Sequence, residues 1–333
     1  ANEFVPSDSG SILLDRPRDK DGDRSQHVLT FVAAFGPHAL DLLGRTLAAD
    51  QGIAGHVYLT GHTYYTSQVR KDPYFFPEVD QSTQYRTESL IAIPIRIEQA
   101  VCGVLELINS QDSASYGEKD RELLEIFADY ISISIQNVLD GRRAEEMAKR
   151  DNLTGLFNDR YLHIALANEI EACRKASRDL SLLFIDLDFF KRVNDAHGHL
   201  AGSQVLREVG AILSELIPNP ETLAARYGGD EFVLILPGVS LEEAVDLAEL
   251  IRTTILGAVF CDKPGDIQPE PIHLTGQTCS VGVASLNRHL NAEGSLGDDK
   301  STLLRLADAA MYVAKQTGRN RTAISGEPIR RRI

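Results

Sequence analysis

Apolar residues along this chain fall into short unbroken runs and longer helical stripes, and the alternation of the two predicts a mixed α/β (α+β) fold. In the N-terminal part, residues 11–14, 28–35, 90–97 and 101–108 read as strands. Residues 118–139 follow as a helix with apolar positions at helical spacing. Farther on, residues 180–185 read as a buried strand, and 223–227 and 232–236 as two short buried strands that flank a Gly228-Gly229 hairpin tip. Within the long helix Leu124, Ala128, Ile131, Ile135 and Val138 alternate four and three residues apart. Such a stripe either forms an a/d seam between two parallel helices or packs the helix on its own sheet, and the pattern leaves both open. Beyond it Arg142, Glu145 and Lys149 turn the same face polar.

The length of 333 residues allows two domains of ordinary size, and 43% hydrophobic with 25% charged residues is the balance of a soluble globular protein. A formal net charge of -14 argues against nonspecific binding to nucleic acid or to an anionic membrane, so phosphate binding has to rest on a local basic cluster. No apolar run reaches the length of a membrane span, and Ala1 opens no signal-like stretch, which reads as a cytoplasmic protein trimmed from something longer. Cys102, Cys173, Cys261 and Cys279 are widely separated and form no Cys-x-x-Cys pair, so buried reduced thiols are expected rather than a zinc or redox site.

The chemistry concentrates at Gly228-Gly229-Asp230-Glu231-Phe232, where two acidic side chains sit beside a glycine pair whose backbone can approach a phosphate closely. A second pair of carboxylates, Asp186 and Asp188, stands where the apolar run of residues 180–185 stops. Taken singly, each is an ordinary polar strand end. If the two segments are neighbours, Asp186 and Asp230 converge into a site suited to Mg²⁺, which keeps several waters and takes its other ligands from phosphates.

Four motifs in order, residues 151–158, 186–195, 228–232 and 314–320, resemble the signatures of the GGDEF family of diguanylate cyclases. The resemblance covers about residues 150–324. It implies a ferredoxin-like or polymerase-palm-like domain that joins two nucleoside triphosphates into a cyclic dinucleotide with release of pyrophosphate. By motif, Asp186, the Leu187 carbonyl and Asp230 would hold two Mg²⁺ ions, or Mn²⁺ in their place, with Asp230 or Glu231 as the base. Lys191 and the amides of Phe189 and Phe190 would meet the triphosphate beside Gly228 and Gly229, with Lys315 and Arg319 adding charge.

Base recognition departs from the family pattern. An asparagine and, nine residues later, an aspartate read guanine in that pattern, and the matching positions here are Asn194 and Ser203. An ionised aspartate only accepts hydrogen bonds, whereas a serine hydroxyl both donates and accepts, so ATP is expected beside GTP. In this respect the chain resembles the hybrid promiscuous subgroup, which makes 3',3'-cyclic GMP-AMP as well as cyclic di-GMP. His199 is a further candidate substrate contact. The family's Arg-x-x-Asp product-inhibition site is replaced by Asn219-Pro220-Glu221-Thr222, which implies loss of that feedback. A catalytically idle GTP-binding module and a dimeric scaffold are the competing readings.

Residues 52–57, 89–95 and 102–109 resemble a GAF sensory domain, although the Asn-Lys...Phe-x-x-x-Asp-Glu pattern of cyclic-nucleotide binders is incomplete at residues 109–121. The expected organisation is a GAF domain over 1–139, a linker over 140–150 continuing the helix from about 118, the cyclase domain over 151–324 and a basic tail over 325–333. The resemblance implies a homodimer joined through the helical linker and an unidentified small ligand for the GAF domain, whose candidate liners His56, His62, Tyr64 and Tyr65 serve equally as packing residues.

Overall fold

The computed structural model describes residues 2–15, 24–112, 115–217, 219–290 and 296–328, so Arg330, Arg331 and Arg332 of the expected basic tail lie outside the described residues. The chain divides into two compact units, Ala1–Ala144 and Glu145–Ile333.

The first unit runs β1 (Ser7–Asp15), β2 (Val28–Phe35), α1 (Ala39–Leu42), β3 (Thr46–Ala48), α2 (Gly52–Thr60), β4 (Tyr64–Thr66), α3 (Glu78–Thr83), β5 (Leu90–Ile97), β6 (Ala100–Ser110) and α4 (Glu118–Lys149). Its strands form one antiparallel sheet in the order β3-β2-β1-β6-β5-β4. Strand β5 reads as a nearly continuous apolar run because both of its faces are covered. Ile91, Ile93 and Ile95 join the core beneath α4, while Leu90 and Ala92 join the core beneath α2.

The helical stripe resolves in favour of packing within the unit. Leu124 and Ala128 are buried in the α4 core, with Ile131, Ile135 and Leu139 packed against it, so these residues are not available as a seam. Only Val138 of the expected stripe is exposed. The opposite face carries Leu123, Ile126, Tyr130 and Ile133, all exposed, at the same three-and-four spacing. The aromatic set also packs within the unit: His56 stacks on Tyr74 at 3.7 Å and meets Tyr64 edge-on at 5.4 Å.

The second unit contains β7 (Phe157–Asn158), α5 (Asp159–Lys175), β8 (Leu180–Asp188), α6 (Phe190–Glu215), β9 (Leu223–Gly228), β10 (Glu231–Pro237), α7 (Leu241–Gly257), β11 (Thr278–Ser285), α8 (Leu286–His289), α9 (Leu296–Gln316) and β12 (Arg321–Ile324). The segment β8-α6-β9-β10-α7-β11, with its strands ordered β11-β8-β10-β9, is the split βαβ arrangement of a ferredoxin-like core. Helices cover both sheet faces. Leu183, Ile185 and Leu187 pack under α6 and α7, while Leu180, Leu182 and Phe184 pack under α5 and α9. This two-sided burial explains the unbroken apolar run of β8, which continues through Leu187 and ends at Asp188 rather than at Ile185. All four cysteines are buried, and none of them forms a disulfide. No helix among the described residues is long and apolar enough to cross a membrane.

Helix α9 approaches β11 so closely that a Cβ on Gly282 would collide with the backbone of Ala307 and Met311. Gly282→Ala is therefore expected to destabilise the second unit by roughly 1–3 kcal/mol or more. Denaturant unfolding followed by circular dichroism checks it, and a midpoint equal to that of the parent would contradict this packing.

Candidate active site

The geometry starts from strand register. Strand β10 pairs antiparallel with β8, placing Glu231 opposite Asp186, and the Leu187 amide donates to the Asp230 carbonyl at 3.3 Å. The hairpin tip is therefore fastened to the acidic end of β8, and the two carboxylate-bearing segments converge. Gly229 takes a left-handed backbone (φ 50°) at the tip, which a side chain would strain.

Helix α6 begins directly after β8 and is broken at Gly198, whose φ of 84° and ψ of 166° belong to glycine alone. The break folds the two halves of α6 together, so that Asn194 and Ser203 line one cavity of about 380 Å³. Phe190, Lys191, His199, Gly229 and Asp230 line it too, joined by Leu153, Leu206 and Arg226. Gly202 is part of this arrangement, because Asn194 Oδ1 occupies the space that a Cβ at residue 202 would need.

Asp186 projects from the face of β8 that packs on α9, where Lys315 Nζ lies 2.6 Å from its Oδ2. Burial pushes the Asp186 carboxyl up to about 6 against the pull of Lys315, and the neighbouring charges of Asp230 and Glu231 push the same way. Burial likewise raises Glu231, which Lys315 opposes and Asp230 and Asp308 reinforce. Asp188 is buried beside them and satisfied by hydrogen bonds from Thr278 Oγ1 (2.7 Å), Ser280 Oγ (2.8 Å) and the Asn320 amide (3.0 Å). It braces the end of β8 and is fully engaged in doing so.

Several expected contacts are arranged differently. Lys315 engages Asp186, and the Arg319 guanidinium lies 4.4 Å from the ring centroid of Phe189, whose ring is also met by Arg192 at 4.3 Å. Neither Lys315 nor Arg319 lines the cavity, nor do Phe189, Gly228, Leu187, Asp186 and Glu231. Both cations lie near the end of α9, and the buried charge of Asp186 and the exposed ring of Phe189 are the nearest partners for them.

Sequence reasoning passed over Arg226. Its Nε and Nη2 donate to the Gly229 carbonyl at 3.0 and 2.7 Å, and its Nη1 stands 3.3 Å from both oxygens of Asp151. Asp151 also accepts from the amide and hydroxyl of Thr154, so the turn that opens the unit is tied to the hairpin tip. A lone arginine in a short strand, two residues before a glycine pair, was the available signal.

A Mg²⁺ ion fits this donor set. Asp186, on which the charges of Asp230 and Glu231 press, already holds the Lys315 ammonium in a cation's place, and few protein ligands suit an ion that keeps its waters. No cluster of three or more carboxylate, histidine or cysteine side chains poised for a metal occurs among the described residues.

Gly202→Ala is expected to dislodge Asn194 without disturbing the core. If Asn194 reads the base as the motif resemblance implies, GTP affinity measured by calorimetry falls about tenfold, as for the loss of one hydrogen bond. The melting temperature should stay close to the parent's, and an unchanged affinity would contradict the placement of Asn194.

Residues 148–321, just over half of the chain, match the family described as "Diguanylate cyclase, GGDEF domain", and residues 1–136 match the GAF domain family. Diguanylate cyclase A of Treponema denticola is 32% identical over 241 residues, which are 70% of this chain and 58% of that protein. Response regulator PleD of Caulobacter vibrioides is 35% identical over 194 residues, 58% of this chain and 38% of that protein. The chain thus spans only part of the length of these curated relatives. Among solved structures, the coiled coil and GGDEF domain of DgcB from Caulobacter crescentus, in complex with c-di-GMP, aligns with a TM-score of 0.52 at 26% identity, covering 61% of this chain and 98% of that one. The chain belongs to the GGDEF-domain family, with a GAF domain ahead of its GGDEF domain.

Proposed function

We propose that this protein is a dinucleotide cyclase that condenses GTP into cyclic di-GMP and accepts ATP as well, yielding 3',3'-cyclic GMP-AMP from a mixture. The observation that carries the reading is one cavity lined by the base-facing pair Asn194 and Ser203, by Lys191 and by Asp230 at the hairpin tip. His199 stands at the same wall as a further contact.

Lys191 and the free amides at the start of α6, Phe189 and Phe190 included, bind and orient the triphosphate, since a helix N-terminus favours an anion. Asp186, Asp230 and the Leu187 carbonyl would hold Mg²⁺, which supplies positive charge to the phosphoryl oxygens and lowers the pKa of the attacking 3'-hydroxyl. Glu231, with its carboxyl raised by burial, is suited to take the proton from that hydroxyl. Ser203 accepts from guanine N1–H or donates to adenine N1, which is the basis for dual substrate use. At the place of the family's product-inhibition motif, Asn219 Oδ1 caps its own turn by accepting from Glu221 and Thr222, and Glu221 pairs with Arg178 at 2.6 Å. Feedback through that motif is accordingly absent from the proposal.

One Asn194–Ser203 pair serves one nucleotide, so ring closure needs two copies facing each other. We assign the linker seam of that homodimer to the outward face of α4, Leu123, Ile126, Tyr130, Ile133 and Asn137, whose three-and-four spacing is that of a parallel coiled coil. The GAF unit would then regulate the enzyme by biasing how this helix pair sets the catalytic faces.

Mass spectrometry of products formed with Mg²⁺ and GTP, ATP or an equimolar mixture tests the reading. Cyclic GMP-AMP is expected from the mixture, falling by at least about tenfold in Ser203→Asp while cyclic di-GMP persists. Asp230→Asn should abolish both products, whereas cyclic di-GMP alone from the parent would remove ATP from the proposal. Ile126→Glu with Ile133→Glu should yield a monomer by light scattering with little turnover at low protein concentration. Full activity from that monomer would defeat the seam.

A further inference from the structure

A second cavity lies wholly within the first unit, on the face of the sheet covered by α2. Across β1 and β6, Ser11 stands opposite Glu106, and Ala92 of β5 stands opposite Glu106 from the other side. Ser9, Gly10 and Ser11 are small, so the floor beside Glu106 is low and leaves about 90 Å³ open above it. Phe31, Phe75, Phe76, Leu42, Leu47 and Ile53 form apolar walls.

Glu106 is out of place here on any structural ground. Its side chain shares a face with Val104 and Ile108, positions that the core fills with apolar groups. It is buried, and its single hydrogen bond is from Ser11 Oγ to Oε2 at 3.3 Å. No Lys, Arg or His among the described residues pairs with it, and none of the lining residues is Lys or Arg. The other lining carboxylate, Asp80, is occupied by the amide and hydroxyl of Thr87 at 3.0 and 2.7 Å. Burial holds the Glu106 carboxyl up at about 7. A carboxyl kept in an apolar hollow with one weak partner is unfavourable unless something else completes its hydrogen bonds.

We infer that this cavity is a binding site for a small, flat aromatic amine or amidine, whose N–H edge meets Glu106 while its ring packs among the phenylalanines. A carboxylate accepts from adjacent N–H groups in the paired geometry that an amidinium offers, and desolvation strengthens the bond. The walls are apolar with a few polar groups, as ligand sites are. The same lining speaks against phosphorylated ligands, because two carboxylates and no Lys or Arg would face the phosphate, and the one histidine there, His38, is held by Asp41 at 3.2 Å. A space of this size also suits one ring and not a nucleotide, since drug-sized ligands occupy about 300–1,000 Å³. The inference is independent of the cyclase reading, because its readout is binding to the first unit.

The test uses the full-length chain with benzamidine, benzoate and cyclic GMP as probes, followed by ligand-observed NMR and calorimetry. Benzamidine should bind at one site per chain, and benzoate and cyclic GMP should bind at least tenfold more weakly. Glu106→Gln should weaken benzamidine at least tenfold while its melting temperature equals or exceeds the parent's. Ala54→Leu, which keeps the carboxylate but fills the cavity, should also abolish binding. Equal affinity for benzoate, unchanged binding by Glu106→Gln, or no benzamidine binding to the folded parent would each overturn the assignment.

Discussion

The end of β8 imposes the constraint on which the second unit depends. A strand covered by helices on both faces has to finish in charge without leaving that charge unsatisfied. Asp188 solves this by accepting from β11 and from the loop after α9, and Asp186 by pairing with Lys315 of α9. These bonds lock the ends of the central strands β8 and β11 and the last turn of α9 into one frame, from which α6 starts. The hairpin tip joins the frame through Leu187 and through Arg226, so a loop with two glycines acquires a defined position.

Electrostatics in this frame are local. The chain is strongly acidic as a whole, yet the cations that matter stand within a few ångströms of the carboxylates or on the rim of the cavity. Lys315 offsets only part of the burial of Asp186, and the remaining acidic repulsion is what a divalent cation would relieve. The left-handed Phe189 and Gly229 and the broken helix at Gly198 distort the backbone at the site, and each aims groups at the same cavity.

The GAF unit shows the converse design. Its α4 face is committed to the sheet, which frees the opposite face of the helix, and its other core is interrupted by a carboxyl where apolar packing would be simpler. The proposed ligand cavity and the proposed dimer seam thus lie on different faces of one sheet-and-helix layer, and neither would compete with the packing that holds the unit together.

Much of this was legible in the amino-acid order. Unbroken apolar runs located β5, β8 and β10, because two-sided burial leaves no polar alternation, and the glycine pair located the hairpin because only glycine relaxes a tight tip. Motif order identified Asp186, Asp230, Lys191, Asn194 and Ser203 as candidates. What the chain alone could not decide was direction. The helical stripe of α4 satisfied both a seam and a sheet, and only the position of the sheet against Leu124 and Ala128 chose between them. Lys315 and Arg319 were legible as charges but not as partners, since a flexible cation goes to whichever buried carboxylate or aromatic ring the fold brings nearest. Arg226 gave only the faint signal of a lone arginine before the glycine pair and Glu106 gave none, because their meaning lies in contacts with distant segments, Asp151 for one and the cavity for the other. Periodicity and backbone chemistry are properties of neighbours in sequence, whereas charge pairing and cavity shape exist only once distant segments have been folded together.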